Sequence, residues 1–105
     1  MAIQNLTLTT GAAANILVGS GQLGTATTTV YLCNNSPTTI GVNVFAVMAG
    51  FVANANNQIY SNKLVASNDT YIMDVEKIFL GPGDTLRANC NVTSGLNVTV
   101  SSIGL

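Results

Sequence analysis

Apolar residues recur at every second position along much of this chain, and no segment keeps them at helical spacing for three turns. Successive side chains of a strand point to opposite faces, so a period of two marks strands buried on one side. The pattern is clear at Thr25–Cys33, Thr39–Met48, Gln58–Ala66, Thr70–Val75, Thr85–Asn91 and Leu96–Ser101. Shorter pieces stand at Ile3–Leu8 and Ile16–Val18, and Ile78-Phe79-Leu80 runs into a turn. Turn formers punctuate these runs: Gly19-Ser20-Gly21, Asn34-Asn35-Ser36-Pro37, Ser67-Asn68-Asp69, Gly81-Pro82-Gly83-Asp84 and Ser94-Gly95. In Gly81-Pro82-Gly83-Asp84, proline presets the first central residue and Gly83 supplies the positive φ of a type II turn. Seven to eight short strands at this spacing predict an all-β, single-domain antiparallel β-sandwich, Ig-like or jelly-roll-like, with a closed barrel as the alternative. At 105 residues the chain fits one compact domain. Residues 1–24 read as N-terminal strands or an assembly arm, and residues 25–105 as the sandwich core.

Charge narrows the function. Charged residues make up 7% of the chain, against about 25% in an average domain. They are Lys63, Lys77, Arg87, Asp69, Asp74, Glu76 and Asp84, and there is no histidine or tryptophan. Polarity comes from Asn, Thr and Ser, which are cheaper to desolvate than ions and suit close assembly. Three scattered cations and a net charge of −1 argue against nucleic-acid binding. The longest apolar run, Val44 to Ala53, is half a membrane span. The N-terminus shows no basic stretch followed by an apolar run, so no targeting segment is read there.

Catalysis has little to work with. Without histidine, acid–base chemistry falls to the carboxylates. Asp74 and Glu76, two apart beside Asp69, are the only close set, and a solvated turn accounts for them. No EF-hand spacing supports a calcium site there. Cys33 and Cys90 lack an imidazole base and a C-x-x-C partner. They are read as two thiols, the alternative being an intersheet disulfide. Gly19-x-Gly21-x-x-Gly24 spells a dinucleotide fingerprint but precedes a strand, not a helix. The Asn-x-Ser/Thr sequons at Asn5, Asn34, Asn68, Asn91 and Asn97 follow from a composition rich in Asn and Thr. No catalytic, cofactor or metal residue is assigned, and the chain is read as a non-enzyme. A glycan site remains an alternative, with Tyr31, Tyr60 and Tyr71 as platforms among amides.

One strand face is anomalous. Along Thr39–Met48 the even positions, Ile40 to Met48, are apolar and predict the core side. The odd positions begin with Gly41 and Asn43 but then present Phe45 and Val47, and Phe51 follows in the loop. Phe45, Val47 and Phe51 are therefore the candidate interface residues, since contiguous exposed apolar area marks interaction sites.

Val30-Tyr31-Leu32-Cys33-Asn34-Asn35-Ser36, the Thr39–Val47 strand, Ile59-Tyr60 through Leu64-Val65-Ala66 to Thr70-Tyr71, and Leu80-Gly81-Pro82-Gly83-Asp84-Thr85-Leu86-Arg87-Ala88 with Leu96-Asn97-Val98-Thr99-Val100-Ser101 together resemble small virion proteins of tailed bacteriophages, cyanophages among them. The resemblance covers about Thr25 to Ile103 as a pattern rather than a diagnostic motif. It implies a virion structural protein located in the virion and assembled in the host cytoplasm. The leading expectation is a capsid decoration or cement subunit whose partners are itself, as a homo-oligomer, and the major capsid or tail protein. The alternatives are a tail, neck, baseplate or fibre component and a glycan-binding adhesive module.

Overall fold

The alternation lands on nine β-strands in a computed structural model that describes residues 2–73 and 77–105, and these residues form no helix. The strands are β1 Ala2–Thr7, β2 Ala14–Val18, β3 Thr25–Asn34, β4 Ile40–Val47, β5 Gln58–Val65, β6 Thr70–Met73, β7 Phe79–Leu80, β8 Thr85–Cys90 and β9 Leu96–Gly104. They form two antiparallel sheets. The first runs β1-β9-β3-β6, with β7 also pairing β3, and the second runs β2-β8-β4-β5. The charged stretch Asp74-Val75-Glu76 lies outside the described residues.

Register reveals how the chain is folded. β1 pairs β9, β2 pairs β8, β3 pairs β6 and β7, and β4 pairs β5. In all these ladders the two partners lie at nearly equal sequence distance on either side of Phe51-Val52: Thr7 meets Asn97, Val18 meets Thr85, Tyr31 meets Ile72 and Val42 meets Lys63. The chain is thus one long hairpin with its apex at Phe51-Val52. Rolling it up adds the β3–β9 and β4–β8 ladders. With β6 and β7 counted as one interrupted strand, this is the order of a jelly roll. Residues 2–18 belong to the roll, with Leu8, Ile16 and Leu17 in its core, so they are sandwich strands and not a separate arm.

Between the sheets lie Val30, Leu32, Val98 and Val100 from the first, and Ile40, Val42, Val44 and Leu86 from the second, all but sealed from solvent. At one side of the sandwich, edge strands β5 and β6 close the gap. The Tyr60 and Tyr71 rings meet edge to face with centroids 5.9 Å apart, their hydroxyls lie 3.1 Å apart, and the Lys63 ammonium sits 4.3 Å from the Tyr71 ring centre.

The corner where β3 leaves one sheet and β4 enters the other is built on Asn34, which is completely buried. Its side-chain amide donates to the Thr38 carbonyl at 2.8 Å and to the Val65 carbonyl, in the other sheet, at 2.9 Å. Its side-chain oxygen accepts from the Ser36 backbone N–H at 2.9 Å and the Ser36 hydroxyl at 2.7 Å. Its backbone N–H donates to the Asp69 carbonyl, binding the β5–β6 turn to the same corner. Burial costs a polar group little when its bonds are made and much when they are lost.

At the opposite end, glycines allow a close approach. A Cβ on Gly24, whose φ is +93°, would lie 2.1 Å from the Leu80 carbonyl oxygen, and one on Gly19 would lie 2.1 Å from that of Gly81. Two of the three glycines that spell the nucleotide fingerprint, Gly19 and Gly24, therefore admit the 80–84 turn. That turn has the type II form expected: Asp84 N–H donates to the Gly81 carbonyl and Gly83 has φ +86°.

Asn34→Ala should destabilise the fold by about 2–4 kcal/mol, read as a lower urea midpoint. Asn34→Asp should cost more, because it turns a carboxylate oxygen toward the Thr38 and Val65 carbonyls in place of a donor. A neutral effect of either change would show that the corner contributes nothing.

Candidate interaction surface

The three sequence-predicted contact residues do not form one exposed patch. Phe45 and Val47 do point to the outer face of the second sheet, opposite Arg87 and Thr85 in the β4–β8 ladder. Yet they are 8% and 1% exposed, so the chain covers them itself. Beside Phe45 on β8, Arg87 folds back along its own strand, its Nε donating to the Thr85 hydroxyl at 2.9 Å. On the other side Gln58, paired with Phe45, reaches the side-chain oxygen of Asn43. The expectation that Phe45 and Val47 offer contact surface is corrected: both are packed residues. Met48, placed on the core side by its even number, is also corrected, because β4 ends at Val47 and Met48 is 62% exposed.

Phe51 does stand free, 59% exposed, and it has company. It belongs to the apex loop between β4 and β5, where Val52 is also exposed, and Ile59 at the start of β5 is exposed beside it. Met48, Phe51 and Ile59 line an open cleft of about 560 Å³ whose other wall carries Asn54, Asn56 and Gln58. Met48 also borders a second hollow beside Phe79.

The loop that carries this apolar group is wired by its own amides. Phe51 N–H donates to the Met48 carbonyl, with Gly50 at φ +84° making the turn. The Asn57 side chain accepts from the Asn54 N–H at 3.0 Å and donates to the Val52 carbonyl at 2.8 Å. The Asn54 side-chain oxygen accepts from the Asn56 N–H at 2.8 Å. Asp84 anchors the loop's base. One carboxylate oxygen accepts from Ala49 N–H at 2.9 Å, the other from Gly81 N–H at 3.0 Å. A loop fixed in this way loses little entropy when a partner covers its apolar groups.

Other sequence candidates disperse. Asp84 is committed to those two backbone donors, while Asp69 lies at the far corner, accepting from Thr70 N–H. No group of three or more His, Cys, Asp or Glu gathers among the described residues. Tyr60 and Tyr71 seal the sandwich side, whereas Tyr31 lies on the outer face of the first sheet. Cys33 is half-buried on that same outer face and Cys90 faces the core of the other sheet; both are free thiols. The Asn34 sequon is buried. Comparison with protein-family models, with curated proteins and with solved structures finds no match for this chain.

The sequence signal for Met48 and Val52 was the apolar run Val44–Ala53, which continues past the end of β4 at Val47.

Phe45→Ser combined with Val47→Ser should unfold or strongly destabilise the protein, by about 3 kcal/mol or more, rather than yield a folded, dissociated subunit. Circular dichroism and sedimentation separate these outcomes. In thiol titration the native chain should react at Cys33 alone, and the denatured chain at both cysteines.

Proposed function

We propose that this chain is a structural subunit of a bacteriophage virion, foremost a decoration or cement protein that binds an assembled shell through protein–protein contacts. The observation that carries this reading is the apex loop, which holds Met48, Phe51 and Val52 in solvent on a scaffold of its own hydrogen bonds. Covering one large apolar side chain is worth roughly 1.5–3 kcal/mol. Two or three per copy, repeated over a symmetric lattice, would reinforce the seams. A subunit that binds the assembled lattice and not its free components shifts the equilibrium toward the lattice. The jelly-roll order supports the reading by analogy of fold, because viral capsid domains use it. On this reading the protein performs no reaction, its partners are further copies and the capsid or tail protein, and its place is the virion. A site in the tail, neck, baseplate or fibre would use the same apex.

Glycan binding is the second reading, favoured by the amide-lined cleft and by the occurrence of jelly rolls among lectins. Against it, the Asn54 and Asn57 side chains already serve the loop backbone.

Added back to virions depleted of it, the wild-type chain should co-sediment with the particles. Met48→Ser with Phe51→Ser should keep a native circular dichroism spectrum and lose most of that binding, by at least about tenfold. A double variant that binds like the wild type would reject the apex as the docking element. Specific retention of the wild type on a glycan array, with no particle binding, would favour the adhesive module.

A further inference from the structure

The inner face of the first sheet changes character toward the end away from Asn34. Along β9 the core row runs Leu96, Val98 and Val100, and then Ser102. Along β3 it runs Leu32 and Val30 and, past the bulge, Thr27 and Thr25. On β1, Gln4 comes next to Leu6 in the row and stands opposite Val100. Directly paired residues share a face, so at this end three neighbouring strands exchange apolar side chains for hydroxyls and an amide. Thr25, Thr27 and Ser102 are all buried. The first two have partners: the Thr25 hydroxyl accepts from Ser20 N–H at 3.1 Å and the Thr27 hydroxyl from Ile78 N–H at 3.0 Å. The Ser102 side chain is 4% exposed and makes no hydrogen bond with a described residue. Among the described residues no fully sealed side-chain polar atom lacks a partner, so the Ser102 hydroxyl keeps its contact with the space it borders.

That space is a cleft of about 200 Å³ between the edge strands β1 and β2. Gln4, Ser20, Thr25, Ser102 and Gly104 give it a polar side, and Leu17 and Val18 an apolar one. It shares no described lining residue with the cleft at the apex. A Cβ placed on Gly104 would meet nothing within 4 Å, so the backbone there leaves room. Packing alone gives no account of Ser102, because a buried hydroxyl without a partner costs stability and an apolar residue would continue its row.

We infer that this cleft binds a single neutral sugar ring, free or at the end of a glycan; the inference does not rest on the virion reading. Hydroxyl and amide side chains both donate and accept, as the hydroxyls of a sugar do. Ser102 supplies one such group in the depth of the cleft. Gln4 supplies another at its exposed mouth, with a side chain that makes no hydrogen bond to a described residue. Leu17 and Val18 offer an apolar wall to the C–H groups that alternate with those hydroxyls. The volume lies below the roughly 300–1,000 Å³ of sites for drug-sized ligands, which limits the occupant to one ring.

The test is nitrogen–proton correlation NMR of the full chain, with glucose, galactose, mannose and N-acetylglucosamine and then their methyl glycosides titrated in turn. At least one sugar should shift the amide signals of Ser20, Thr25, Ser102 and Gly104 saturably and leave that of Phe51 in place. Binding of the methyl glycoside as well would identify the occupant as the end of a glycan, and binding of the free sugar alone as a free sugar; either upholds the site. Ser102→Ala should weaken binding at least about threefold and leave the urea midpoint unchanged or raised, since the hydroxyl it removes has no partner. Gly104→Leu, which fills the cleft from a position with room for a side chain, should abolish binding with a native circular dichroism spectrum. Met48→Ser with Phe51→Ser should bind the same sugar normally, which separates this site from the apex. No saturable shift at the cleft with any of these sugars, shifts centred on the apex instead, or undiminished binding by Ser102→Ala or Gly104→Leu overturns the inference.

Discussion

Asn34 is the constraint on which the rest of the structure hangs. A jelly roll forms only if a long hairpin bends sharply out of one sheet and into the other, and at that bend backbone groups leave their ladders inside an apolar interior. The Asn34 side chain replaces what the ladders give up. It supplies donors to Thr38 and Val65 and an acceptor to Ser36, and no described buried side-chain polar atom is left without a partner. An apolar residue would fill the space but leave the carbonyls unpaired. A carboxylate would face them with negative charge.

From that corner the chain runs outward to the apex at Phe51-Val52, and the two ends have opposite characters. The Asn34 corner spends its polar groups on burial. At the apex, side-chain amides and the Asp84 carboxylate brace a loop whose apolar residues stay in water. The same economy governs the sheet faces. On the second sheet, Phe45 and Val47 are buried, with Gln58 and Arg87 flanking Phe45 in the ladders. On the first sheet, Ile3, Tyr31, Ile72 and Phe79 remain exposed.

Much of the fold was legible because strand alternation and turn chemistry are local. Leu96, Val98 and Val100 mark the inner face of β9 as plainly as Gly81-Pro82-Gly83-Asp84 marks its turn. Strand pairing was not legible, because the equal spacing of partners about Phe51-Val52 appears only once the ladders are known. The misreading of Phe45 and Val47 has a specific cause. Periodicity assigns a residue to a face but does not say whether the rest of the chain buries it there, as it does Phe45 and Val47. Met48 was misassigned because alternation was carried one residue past the end of β4. The outer face of the first sheet was written into Thr7, Asn97, Thr99 and Tyr31, but its extent required knowing that β1, β9, β3 and β6 lie side by side.

Quantitative mass spectrometry of purified virions, joined to a cryo-EM reconstruction of the same particles, tests the central claim most directly. The account predicts this chain at fixed, symmetry-related stoichiometry, with the Met48–Val52 apex seated on a shell or tail protein. Purified virions that lack the chain, or hold it with the apex turned to solvent, would contradict it.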